Sequence, residues 1–369
     1  MRHWQDETDR EYGLPTPVKP AGFRDWQRPP ALLFLDLNHW ILLARAKSGR
    51  GDPPYVELLT VLGEALADGR VKVVLTGALY REVSKIAHPR QRNDLAALMQ
   101  ELSGPSYLPG PVDVLRAEIV AALDVTTGSS GTQFEPTDIV GGSALNIVGA
   151  VGGLRITDAD GEDVTNEFVA VPSQAAALAA AEREAERMFL AGPADHEVEA
   201  LRANGYRPEV PRQMVRDNAE FEAAWSERLA PFRSQGRIRD FLIFRHLQLE
   251  LIAVLLSELS VRGLTIEAIA GSPETIRRFV MSMPSSAVTV SMLAHYHHDP
   301  QKRWSENDIY DIGSLALAVP FCDVVFTDAA ARNALRLRHI DEWLGTVIPR
   351  GVADLIKVLE ELPMTPSTG

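Results

Sequence analysis

The chain has 369 residues, of which 46% are hydrophobic and 24% charged, a balance that indicates a globular core. Cys322 is the single cysteine, which excludes a disulfide framework or a cysteine zinc site and predicts a reducing, cytoplasmic setting. The net charge of −13 argues against a protein that coats nucleic acid non-specifically, although a carboxylate-lined metal site is itself negative. The acidic start does not resemble a signal peptide, and no apolar run is long enough to cross a membrane.

The first hundred residues alternate strands and helices. Residues 1–30 are polar and rich in proline, and predict a flexible arm. The unbroken apolar run over 31–36 is typical of a strand buried on both faces. The segments that follow are predicted as helix, helix, strand and helix, in this order: 38–46, 55–68, 71–75 and 77–87. The order predicts an α/β fold with a parallel sheet.

Residues 101–285 interrupt this alternation. Their first part, to about 170, is rich in Gly, Ser, Thr and Pro with little periodicity, whereas 173–190 is strongly helical. We interpret 101–285 as a mainly helical insertion, with further helices at 242–262 and 275–283. The α/β pattern returns in 286–369 as helix, strand, helix, short strand and helix at 307–319, 323–327, 329–338, 345–349 and 352–362. Residues 31–100 and 286–369 are therefore expected to share one sheet.

Aspartates close two of the predicted strands, at Asp36 and Asp328. Ligands bind outside the carboxyl ends of strands in an open parallel sheet, so both side chains should face one crevice. Glu82 lies on the helix after the second strand, and Asp308 and Asp311 share one face of the helix before the last strand. Hard divalent cations prefer such oxygen ligands, and two of them can drive phosphodiester hydrolysis. Alternatively, an aspartate after a strand caps the next helix, as Asp328 before three alanines would.

These acids lie in short motifs that resemble the PIN-domain nucleases, a superfamily that includes toxin ribonucleases and RNA-processing nucleases. Its pattern has an aspartate after the first strand, a glutamate on a following helix, and an aspartate opening a helix before a strand that ends in Thr-Asp. The matching stretches are Leu33-Phe-Leu-Asp36-Leu-Asn38, Leu75-Thr76-Gly-Ala-Leu-Tyr-Arg-Glu82-Val, Asp311-Ile-Gly-Ser-Leu-Ala-Leu-Ala and Asp323-Val-Val-Phe-Thr327-Asp328. They fall in two blocks of about 150 residues together.

The resemblance implies an Mg²⁺- or Mn²⁺-dependent endoribonuclease-type hydrolase acting on RNA, with DNA as the other nucleic-acid substrate. By motif position it implies that Asp36, Glu82, Asp311 and Asp328 bind metal. Asp308 is implied as a catalytic neighbour, or as the third acid in place of Asp311.

A PIN domain is compact, so the insertion of nearly two hundred residues is a departure from the pattern. We expect the insertion to govern the choice of substrate or partner. The alternative function is a catalytically inactive PIN-like scaffold whose insertion binds a protein partner. An incomplete acidic set would indicate that alternative, and the set here is complete.

Four polar side chains near these acids are candidate substrate-binding residues. Asn38 and Thr327 are expected to orient ligands or substrate through hydrogen bonds. Arg332 and Arg336 lie four residues apart after Asp328, share one helical face and could hold phosphates, or they are ordinary solvated arginines.

Three further stretches leave their interpretation open. The histidines of 295–298 suit either a metal or general-base site or a solvated helix end. Lys302, Arg303 and Trp304 could hold phosphate and stack a base, or Trp304 packs on the core. Arg233, Arg237 and Arg239 form a basic stretch that is equally ambiguous.

Overall fold

The structure, a computed structural model, describes residues 13–24, 30–104, 106–149, 155–194 and 196–364. Strands from both ends of the chain form one parallel sheet in the order β2-β1-β3. These strands are β1 (Ala31–Leu35), β2 (Val71–Val74) and β3 (Val324–Phe326). The predicted α/β class and the shared sheet are therefore confirmed, and the carboxyl ends of all three strands lie on one edge.

Helices enclose this small sheet. Those of the first block are α1 (Leu37–Lys47), α2 (Pro53–Ala67), α3 (Gly77–Val83) and α4 (Pro89–Ser103). Those of the insertion are α5 (Pro111–Thr127), α6 (Thr165–Val169), α7 (Pro172–Ala191), α8 (Val198–Ala203), α9 (Glu209–Arg228), α10 (Ala230–Ser234), α11 (Ile238–His246), α12 (Ile252–Val261), α13 (Glu267–Ala270) and α14 (Pro273–Ser282). Those of the second block are α15 (Pro284–His298), α16 (Glu306–Phe321), α17 (Ala329–Arg336), α18 (Ile340–Leu344) and α19 (Val352–Glu361).

Several sequence expectations need correction. The stretch expected to be irregular contains α5, whose face with Ile119 and Leu123 is fully buried. The helix expected over 242–262 begins earlier, at Ile238, and contains the π-helical turn Leu247–Leu251. The strand expected at 345–349 is one bridge between Val347 and Val324.

The expected flexible arm is a packed segment over its described part, residues 13–24. Leu14 and Val18 are buried, and the indole N–H of Trp343 donates to the Pro15 carbonyl at 3.0 Å. Apolar side chains among the prolines supply the burial that holds this segment on the core. Residues 1–12 and 25–29 of the arm lie outside the described residues.

The insertion shares its hydrophobic core with both flanking blocks. Buried side chains of α5, α11 and α14 belong to the same apolar cluster as β1 and β3. Helix α15 packs against α11 and α14 of the insertion and against α16 of the second block. The insertion is therefore part of the scaffold that holds the sheet. No helix in the described ranges is long and apolar enough to span a bilayer.

Glu118 on α5 joins the insertion to the start of α15. Its buried carboxylate accepts hydrogen bonds from the backbone N–H of Ser285, at 3.0 and 3.2 Å, and from the Ser285 hydroxyl. Burial nevertheless raises the pKa of Glu118 to about 7, because these hydrogen bonds only partly offset the loss of water.

Glu118 should therefore make the stability of the fold depend on pH. The folded protein holds this proton up to about pH 7, whereas the unfolded carboxyl loses it near 4.5. The free energy of unfolding should fall as pH rises through that window, since the folded state then binds more protons than the unfolded state. In urea unfolding, the Glu118→Gln variant should gain stability relative to the wild type across this window. Parallel pH curves for the two proteins would contradict the assignment.

Candidate active site

A pocket of about 260 Å³ opens at the carboxyl edge of the sheet. Four of the predicted acids line it, namely Asp36, Glu82, Asp311 and Asp328, together with Asn38. They come from the ends of β1 and β3, from α3 and from α16. The parallel strands bring the acids together, because their carboxyl ends meet at one edge. The remaining lining residues are Leu37, Lys85, Ile86 and Asn307.

Asp36 is held in place by hydrogen bonds from the start of α1 and from the residue that follows β3. The N–H of Asn38 donates to its Oδ1, and the Thr327 hydroxyl donates to its Oδ2, both at 3.3 Å. Burial, and then the charge of Asp328, raise the pKa of Asp36. Thr327 is itself buried, so of its two expected roles the geometry fits orienting the acid and not touching substrate.

Asp328 is both a helix cap and a pocket residue. Its Oδ1 accepts from the N–H of Ala331 at 2.8 Å, which satisfies a free donor at the start of α17. The two sequence interpretations are therefore compatible. Capping occupies one carboxylate oxygen with one hydrogen bond, and it fixes the direction in which the carboxylate points.

Glu82 and Asp311 are the acids most strongly affected by the pocket. Burial, followed by the charge of Asp36, raises the pKa of each to about 8. Asp328 and Glu82 also act on Asp311, whereas Lys85 lowers the pKa of Glu82. Mutual repulsion and burial therefore oppose the ionisation of all four acids together, and a cation would favour it.

The side chains of the pocket are of the kind that binds a hard divalent cation, but they are not positioned as a ready binding site. Four carboxylates and an amide are the oxygen ligands that Mg²⁺ and Mn²⁺ prefer. Within the described ranges, however, no three acidic, histidine or cysteine side chains converge as a ready metal-binding group. Binding of one cation by three of these acids would therefore require their side chains to turn toward one another.

Asp308 was expected to support catalysis, and the structure places it elsewhere. Its Oδ1 accepts from Lys302 Nζ at 2.5 Å, and its Oδ2 accepts from the Ser305 N–H and hydroxyl at 2.8 Å. Asp308 and Ser305 form the capping box of α16, and Asp308 does not line the pocket. Of the two acids on this helix face, Asp311 is therefore the one at the site.

The predicted phosphate-binding arginines also lie away from the pocket. Arg332 donates to the carbonyl of Arg350 at 2.6 Å, and Arg336 pairs with Asp341 at 3.5 Å. Neither lines the acidic pocket. Their spacing along the helix predicts a shared face, but that face of α17 contacts Arg350 and Asp341 and not the pocket.

Lys85 and Asn307 line the pocket and were missed from the sequence. The Lys85 ammonium lies 3.4 Å from the Asn307 side-chain oxygen and 3.9 Å from the centre of the Tyr310 ring. Spacing offered a signal for both, since Lys85 follows Glu82 by three residues and Asn307 precedes Asp311 by four. They place a cation and an amide at the pocket wall, with the ammonium also 3.6 Å from a carboxylate oxygen of Glu306.

Among the histidines of 295–298, His297 has a structural role. His297 is fully buried and its Nε2 lies 2.8 Å from a carboxylate oxygen of Glu222. Trp304 packs against His297 and Tyr296 and is half-buried. His297 is thus not part of a solvated helix end, and Trp304 packs on the core.

The fold and pocket together define an α/β protein with an acidic pocket at the carboxyl ends of β1 and β3. No protein-family model, no curated protein and no solved structure significantly matches the chain.

Proposed function

We propose that the protein is a PIN-like, metal-dependent nuclease that hydrolyses phosphodiester bonds, with RNA as its substrate. One observation carries the proposal. Asp36, Glu82, Asp311 and Asp328, which occur along the chain in the order of the PIN pattern, line one pocket at the carboxyl edge of a parallel sheet.

In this proposal the four carboxylates hold Mg²⁺ or Mn²⁺. When bound, such ions supply a nucleophile at neutral pH and stabilise the charge on the leaving oxygen. Thr327 fixes the orientation of Asp36, and Ala331 fixes that of Asp328, through the hydrogen bonds already described. Lys85 at the pocket wall supplies a positive charge for the substrate phosphate.

The spread of the carboxylates is the observation that favours the alternative, an inactive PIN-like scaffold whose insertion binds a protein partner. Cation binding separates the two functions, because a scaffold has no need for it. The grouping of four acids in one pocket favours the nuclease. Bringing acids together costs stability, and a bound cation would offset that cost.

The purified chain should cleave a mixed RNA pool with Mg²⁺ or Mn²⁺ and should not cleave it with a chelator. Its melting temperature should rise as either ion is added, because an ion that binds only the folded state stabilises it. A single-stranded DNA pool run in parallel distinguishes the two nucleic-acid substrates. Cleavage that is indifferent to chelator would contradict the proposal, as would absence of both cleavage and metal-dependent stabilisation.

A further inference from the structure

A second cavity, of about 340 Å³, lies between the insertion and the first two helices of the second block. Helices α5, α9 and α11, with the π-helical turn that follows α11, supply one part of its wall, and α15 and α16 supply the other. Its lining shares no residue with the acidic pocket. The cavity is therefore a separate site, and its volume is within the range of small-molecule pockets, about 300–1,000 Å³.

Most of the side chains that line this cavity are apolar. Leu293, Ile312 and Leu317 are buried, whereas Phe221 and Leu249 remain 42% and 57% exposed. Two large apolar side chains are thus left in contact with water beside an apolar space. An apolar occupant would remove this surface from water, which is favourable.

Two backbone features border the cavity and keep its wall open. Gly313 lies inside α16, where glycine is less favourable than alanine, and a Cβ built on it would meet no atom within 4 Å. The π-helical turn Leu247–Leu251 contributes Leu249 and Glu250 to the lining. Such turns are rare and are frequent at functional sites. Both departures from an ordinary helix therefore support a use for the space.

The charges in the lining leave no free cation for an anionic ligand. Arg245 donates two hydrogen bonds to Glu222, at 2.7 and 2.8 Å, and both side chains are buried. Among the described residues that line the cavity, Arg245 is the only arginine or lysine. Glu250 is exposed and adds a negative charge, which would repel an anion. The balance of charge favours an uncharged occupant.

A buried histidine and serine give the cavity a hydrogen-bonding group. His246 Nε2 lies 3.1 Å from the Ser286 hydroxyl, and both side chains line the cavity. Burial, then the charge of Arg245, lower the pKa of His246 to about 4, so this pair is uncharged near neutral pH. A hydroxyl can donate and accept at the same time. Ser286 can therefore bind a hydroxyl or carbonyl group while it keeps its contact with His246.

We propose that this cavity binds a small, uncharged molecule that has an apolar body and one hydroxyl or carbonyl group. The apolar body packs against Leu293, Ile312, Phe221 and Leu249, and the polar group faces Ser286. An engineered apolar cavity of about 150 Å³ accepts benzene, so a cavity of about 340 Å³ has room for a ligand of two fused rings. The site does not depend on the proposed function, because it lies outside the acidic pocket.

The probe for this site is N-phenyl-1-naphthylamine, an uncharged dye whose fluorescence rises in apolar surroundings. It should bind the full chain saturably and raise the melting temperature. Gly313→Leu places a side chain in the cavity and should weaken binding about tenfold or more. The matched control is Gly63→Leu, since Gly63 is exposed inside α2 and a Cβ there also meets no atom within 4 Å. The control should bind the dye as the wild type does.

Competition between related compounds tests the chemical class of the ligand. The uncharged 2-naphthol should displace the dye near neutral pH. The anion 2-naphthoate should need about a tenfold higher concentration or more, because a charge buried without a partner is costly. Ser286→Ala should weaken the binding of 2-naphthol about threefold or more and leave that of naphthalene unchanged, because only the naphthol uses the hydrogen bond.

Thermal melting of each variant without ligand checks its folding. Both leucine variants should melt at or above the temperature of the wild type, because leucine is favoured over glycine inside a helix. If Gly313→Leu does not fold, Ala316→Leu blocks the cavity from the same helix.

Two results would overturn the site: wild-type protein that shows no saturable binding of the dye, or folded blocked variants that bind it as tightly as the wild type. Displacement of the dye by 2-naphthoate at the same concentration as by 2-naphthol would overturn the assignment of an uncharged ligand.

Discussion

Asparagine in place of Asp36 or of Asp328 is expected to lower metal-dependent RNA cleavage by more than about a hundredfold while the fold is retained. The amide has the shape of the carboxylate but lacks the charge that holds a hard cation. Loss of a residue that only supports a metal ligand already costs about 10- to 100-fold, so loss of a ligand should cost more. Without metal, the melting temperature should hold or rise, because either change removes a charge that raises the pKa of Asp311.

Asp308→Asn is the matched control for these variants. Asp308 lies one turn from Asp311 on the same helix, but its carboxylate caps α16 and pairs with Lys302 outside the pocket. The side-chain oxygen of an asparagine at this N3 position can still accept from the Ser305 N–H, and the ion pair with Lys302 lies outside the pocket, so this variant should keep its activity. The measurement is the initial rate on one RNA with saturating Mg²⁺, beside a thermal melt. Full activity of the Asp36 and Asp328 variants would contradict the acidic site.

The largest loss of stability is expected from Glu222→Ala, at about 3–5 kcal/mol. Glu222 on α9 accepts two hydrogen bonds from Arg245 of α11, at 2.7 and 2.8 Å, and lies 2.8 Å from His297 Nε2 of α15. Burial raises the pKa of Glu222, but the His297 and Arg245 hydrogen bonds outweigh it and lower the pKa overall. Alanine would leave the buried Arg245 guanidinium without its counter-ion, which is the costly outcome.

The control for this variant is Glu184→Ala on α7. Glu184 also pairs with an arginine, Arg187, but both side chains are exposed. An exposed pair contributes at most about 1 kcal/mol, so the change should be small. Urea unfolding of both variants against the wild type measures the difference. Equal losses for Glu222→Ala and Glu184→Ala would show that the buried network does not hold the helices together.

The Glu222 network also bears on the candidate site. It joins two helices of the insertion to α15, and α15 packs against α16, the helix that carries Asp311. Weakening this network should therefore disturb the wall of the acidic pocket as well as the insertion.

The strands and the four pocket acids could be predicted from the sequence. Unbroken apolar runs closed by Asp36 and Asp328 need no tertiary information, because a strand buried on both faces leaves that pattern wherever it pairs. The convergence of these acids follows from the parallel sheet, in which the carboxyl ends of strands share one edge.

The tertiary structure decided the rest. Asp308 and Asp311 are equivalent by helical spacing, and only the capping box with Ser305 and the ion pair with Lys302 separate them. Likewise, Arg332 and Arg336 share the face that spacing predicts, but packing turns it toward Arg350 and Asp341. Local periodicity shows which residues share a face, whereas the partner of that face is set by long-range packing.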